Sequence, residues 1–200
     1  MEKSIDYSMR CVISSLSMFS AIFASSSVYA SDVSSFDIAG VKLGMSVDEA
    51  KKALMDSLGL PPGNIMVDPF PQENVISGKK EPSNIVVKTE SYEVVVHFIP
   101  NARYERNPEK VVNIISFTMP HTPENLASMK QRVREKYGAP DHVVGGYLLS
   151  WCSSPSRVIG CSADDMKLTY SGTRLELRDD GYSKALTEWL NKRRSGKPMF

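Results

Sequence analysis

The chain predicts an α+β fold in which helices pack on one face of an antiparallel sheet. Two capped helical segments, each stopped by a glycine with a proline soon after, are both followed by β-branched runs. Short turn sequences separate successive runs, as in hairpins. Hydrophobic residues make up 42 % and charged residues 24 %, the balance of an ordinary globular domain with a core.

The N-terminus reads as a targeting segment. Lys3 and Arg10 make a basic start, and Cys11 to Val28 carries no charge. Val12, Ile13, Leu16, Met18, Phe19, Ile22 and Phe23 form its apolar body, and Val28-Tyr29-Ala30 presents small or moderate side chains to a signal peptidase. The run is rich in serine and shorter than a comfortable span of ~20 apolar residues. Residues 1–30 are therefore expected to be a cleavable signal peptide, leaving 31–200 as one domain with no membrane anchor, in the periplasm or secreted. A retained anchor is the alternative. The net charge is +1, and Lys3 and Arg10 offset Glu2 and Asp6, so removal leaves it unchanged. That balance gives no general attraction to nucleic acid. In an oxidising compartment Cys152 and Cys161 should pair, with Pro155 and Gly160 letting the chain turn back between them. So short a loop is worth about 2–3 kcal/mol in the chain-entropy account.

The elements follow in order. Phe36 to Met45 alternates in polarity up to Gly44. Ser46-Val47-Asp48-Glu49 is a capping box, after which Val47, Ala50, Leu54 and Leu58 share a helical face and Gly59 ends it. Residues 60–83 form a long loop with a short strand at Ile65–Val67. Asn84–Thr89 and Tyr92–Ile99 make a hairpin about Glu90-Ser91, then a polar loop leads to a strand at Val111–Thr118. Thr122 caps a second helix with Pro123 in its first turn. Leu126, Met129, Val133 and Tyr137 form its face, and Gly138 stops it. A strand at Val143–Trp151, the disulfide loop, and a hairpin of 166–170 with 173–178 come next. A last helix buries Tyr182, Ala185, Leu186, Trp189 and Leu190 and ends in a basic tail. Helix-plus-hairpin thus recurs, which suggests tandem repeats at 36–118 and 119–194. The simpler explanation is that capped helices before hairpins are common in α+β proteins.

Gly40-Val41-Lys42-Leu43-Gly44-Met45-Ser46-Val47-Asp48-Glu49-Ala50, with Gly59 beyond, resembles the helix-start motif of SmpA/OmlA-like envelope proteins, which include a small lipoprotein of outer-membrane β-barrel assembly. Tyr137-Gly138-Ala139-Pro140 resembles the matching exit, and the doubled arrangement is similar to secreted β-lactamase inhibitor proteins. The good match covers about thirty residues and the rest agrees in element order, so it speaks for fold more than function. It implies helices on an antiparallel sheet and work done by binding. This chain has no cysteine placed for lipid attachment, which sets it apart from the assembly lipoprotein.

No catalytic, cofactor or metal constellation emerges from the motifs. His97, His121 and His142 are scattered, and no nucleophile elbow, P-loop or zinc signature accompanies them. Asp48-Glu49, Asp164-Asp165 and Asp179-Asp180 sit where caps and turns use carboxylates. The expectation is a non-enzymatic protein-binding protein with an envelope or secreted protein as partner, of assembly-accessory or enzyme-inhibitor type. The candidate contacts are Arg103, Tyr104 and Arg106 in a cationic loop, and Phe70 between two prolines. The loops Asn101–Lys110 and Ser153–Gly160 are the favoured surfaces. Trp151 reads as core beside the disulfide. A small-molecule or lipid-binding module is the alternative, and an envelope hydrolase a more distant one.

Overall fold

The computed structural model describes residues 32–104, 106, 108–154, 160–162 and 166–194. The signal-peptide assignment at 1–30, Asp164-Asp165 and most of the 153–160 loop lie outside these residues. The described chain contains three α-helices and an eight-stranded antiparallel sheet, an α+β architecture.

Helix α1 (Val47–Leu58) begins as the sequence predicts. Ser46 Oγ accepts from the Glu49 N–H at 3.4 Å, and Glu49 returns a carboxylate to the Ser46 N–H at 2.8 Å. The Ser46 backbone and side-chain hydrogen bonds hold the Glu49 carboxyl below its usual range. A chain of short strands follows: β1 (Met66–Val67), β2 (Gln72–Glu73), β3 (Lys80–Glu81), β4 (Asn84–Lys88), β5 (Glu93–Pro100) and β6 (Lys110–Thr118). Helix α2 (Pro123–Tyr137) is capped by Thr122, whose side chain accepts from the Asn125 N–H at 3.2 Å. Then come β7 (His142–Val144), β8 (Leu148–Cys152), β9 (Met166–Ser171), β10 (Arg174–Asp179) and helix α3 (Asp180–Arg194).

Two expectations need correction. The strand read at Val143–Trp151 is two strands, β7 and β8, folded back at Gly145 and Gly146. Both glycines have positive φ, 59° and 74°, which a tight reversal requires and which other side chains resist. The loop read at 60–83 holds, besides β1, a separate two-stranded ribbon of β2 and β3.

The main sheet runs β1-β4-β5-β6-β10-β9-β8-β7. This order is palindromic about the β6–β10 joint: reading outward gives β6, β5, β4, β1 on one side and β10, β9, β8, β7 on the other. One apolar cluster unites alternate strand residues from both sides, such as Ile85, Val94, Val96, Ile115, Leu168 and Leu177, with Ala50 and Leu54 of α1 and Met129 and Val133 of α2. Trp151 is fully buried in it, its ring 6.1 Å from that of Tyr137. Tyr182 and Trp189 of α3 are buried outside that cluster, and α3 lies against β5. Cys152 and Cys161 are joined, with Cα atoms 5.3 Å apart.

Candidate binding surface

Strand register decides where the connections go. Asn84 pairs with His97, Pro100 with Lys110, Asp179 with Met166 and Cys152 with Lys167. The three long connections, 68–83, 101–109 and 153–165, therefore all leave the same end of the sheet. The opposite end carries the short turns 89–92, 145–147 and 172–173, the passage from β6 into α2 and the 59–65 segment that leads from α1 into β1. Long loops inside a compact domain are where binding function concentrates, because a rigid scaffold can hold them without their own core.

Three polar residues brace the 68–83 loop. Asp68 accepts from the Phe70 N–H and the Ser83 N–H, both at 2.9 Å, and those backbone bonds hold its carboxyl below the usual range. Asn74 is completely buried. Its amide oxygen accepts from the Ile76 N–H at 3.0 Å, and its NH₂ donates to Glu81 at 2.5 Å and to the Pro108 carbonyl at 2.6 Å. Lys110 is only 4 % exposed, and its ammonium donates to the Glu81 carbonyl at 2.8 Å, Ser83 Oγ at 3.3 Å and the Gln72 carbonyl at 3.4 Å. Burial lowers its pKa, and the Glu81 and Asp68 carboxylates work against that shift. Lys110→Met keeps the stem and strands those acceptors. It is expected to cost about 1–3 kcal/mol in denaturant unfolding and to speed amide exchange across 68–83.

Asn74 ties this loop to the next one through Pro108, so the segments carrying Phe70 and Tyr104 are anchored to each other. Phe70 is 77 % exposed and Tyr104 66 % exposed, and Arg106 is exposed beside them in sequence. Arg103 is used differently. Its guanidinium forms a two-pronged pair with Asp179, at 2.8 and 2.9 Å, and stacks 4.0 Å over the Tyr182 ring. A Cβ on residue 181 would run into that guanidinium, so Gly181 lets the arginine lie across the start of α3. Lys110 and Arg103 are thus consumed by the fold, and Tyr104 and Arg106 remain as the loop's outward groups. Beneath the loops a cleft of about 410 Å³ opens beside the start of α1, lined by Ser46, Asp48, Lys51, Glu81, Glu109 and Lys110 among others.

The bracing residues escaped the sequence reading. Asn74 and Asp68 look like ordinary loop polar residues, and nothing local marks them as buried or bonded. The sequence reading also passed over a second exposed apolar group at the sheet's β7 edge, Val143, Val144 and Tyr147.

The histidines do not join a site. His97 stands on the face opposite the main cluster, where burial lowers its pKa, Glu176 raises it and Arg174 lowers it. Among the described residues, neither His97 nor His142 lines the cleft beside α1. Among the described residues no group of three His, Cys, Asp or Glu side chains could hold a metal ion, and no helix is long and apolar enough to cross a membrane. No protein-family model matches the chain, and no curated protein or solved structure matches it.

Proposed function

We propose that the protein is an exported, non-enzymatic protein-binding protein that engages an envelope or secreted partner with the long-loop end of its sheet. The observation that carries this reading is Phe70: a large apolar side chain, 77 % exposed, on a loop held by buried Asn74 and Lys110. Solvent-facing aromatics contribute nothing to a core. On a braced loop they enter an interface without an ordering cost, the condition under which aromatic anchors dominate binding. Tyr104 and Arg106, on the adjoining loop, are of the residue types enriched at such anchors.

The palindromic strand order supports two tandem units, 36–118 and 119–194, each a helix followed by four strands of the main sheet. The single apolar cluster supports α1 and α2 sharing one face, with α3 set apart. With the helix-start motif at Gly40–Ala50, this favours the SmpA/OmlA-like and β-lactamase-inhibitor-like class as the fold relationship. Capture from an envelope extract tests the function. A partner recovered reproducibly by the folded protein supports it, and a folded bait that retains no protein contradicts it.

A further inference from the structure

An apolar groove opens at the other end of the sheet, away from the braced loops. Its floor is Met129 and Val133 of α2 with Leu175 of β10, all buried. Its walls are half-buried: Leu58 at the end of α1, Tyr92 at the β4–β5 turn, and Phe117 and Met119 where the chain leaves β6. Tyr92 and Phe117 stack with ring centroids 5.6 Å apart, so that wall is firm, whereas the two methionines can adapt to an occupant. The groove measures about 370 Å³, within the range of small-molecule sites. That is room for about a dozen groups of water size, at ~30 Å³ each, and more than one aromatic side chain fills.

The charged residues that line it, among those described, are both basic. Arg132 and Lys136, one helical turn apart on α2, line the groove, and among the described residues no carboxylate lines it. Lys136 is already paired with Asp37 at 2.8 Å. Arg132 is exposed and has no hydrogen-bond or ion-pair partner among the described residues. An apolar trough with an unused cation at its rim is complementary to an apolar chain ending in an anion. Water lying on such a floor finds few hydrogen-bond partners, so a chain that displaces it gains.

We infer that this groove binds a medium-chain fatty acid, its carboxylate on Arg132 and its alkyl chain along Met119, Phe117 and Met129. The inference is independent of the protein-binding role, which uses the opposite end of the sheet. The test is calorimetric titration of the purified full chain with dodecanoate, dodecanol and dodecyltrimethylammonium, each kept below micelle formation. Dodecanoate is expected to bind at one site, about tenfold or more tighter than the cationic amphiphile. Arg132→Glu, an exposed change that leaves the core untouched, is expected to weaken dodecanoate about tenfold or more and leave dodecanol unchanged, with the same melting temperature. Met119→Lys is expected to weaken both. Equal binding of all three amphiphiles, indifference of dodecanoate to Arg132→Glu, or no binding at all overturns the inference. So does a protein segment that occupies the groove and is not displaced by dodecanoate.

Discussion

Arg103→Ala is expected to lower the unfolding free energy by about 3 kcal/mol. Asp179 is 3 % exposed, and its two oxygens take the guanidinium at 2.8 and 2.9 Å. Removing the arginine leaves that carboxylate buried without its two-pronged partner, still accepting from the Gly181 N–H at 2.8 Å. It also strips the cation from the Tyr182 ring, loosening the start of α3. The arginine side chain is itself 35 % exposed, which keeps the loss at the low end for a buried pair. Arg103→Lys recovers only part, because an ammonium cannot span both oxygens. Denaturant titration reads all of this. A loss for Arg103→Ala of no more than a few tenths of a kcal/mol would mean the pair contributes little and the loop is held by other contacts.

The second large effect is on binding. Phe70→Ser, Tyr104→Ser and Arg106→Ser together are expected to weaken the partner complex by about 2 kcal/mol or more, roughly 30-fold, with the unfolding midpoint unchanged. The contrast with Arg103 is the informative part. Phe70, Tyr104 and Arg106 are exposed, so their loss should appear in affinity alone. Isothermal titration against the captured partner, run beside thermal melts, separates the two. Unchanged affinity for the triple variant removes this surface from the account.

Local signals foretold the helices well. The Ser46–Glu49 box, the Thr122 cap and the faces through Leu54 and Val133 are written within a few residues of where they act. The hairpins of β4 with β5 and of β9 with β10 were legible for the same reason. What stayed hidden depends on register or on distant partners. Arg103 meets Asp179 across 76 residues and Lys110 meets Glu81 across 29, so both looked like free loop cations. The proposed pairing of the two halves is hard to read from the chain because each half places its long connections differently. The first half has them at 68–83 and 101–109, against 145–147 and 172–173 in the second, while 153–165 in the second answers 89–92 in the first. A constant offset therefore fails after the helices, although the strand order mirrors itself. The gathering of the long connections at one end follows from antiparallel pairing, which no single segment encodes.

The contact surface is located by a photo-crosslinking amino acid placed at position 70, and in a second protein at position 90 in the short turn at the far end. Each is exposed to an envelope extract and irradiated. One reproducible protein adduct is expected from position 70 and none from position 90. An adduct from position 90 with none from position 70 would contradict the proposed surface, and would move the interface to the short-turn end beside the apolar groove.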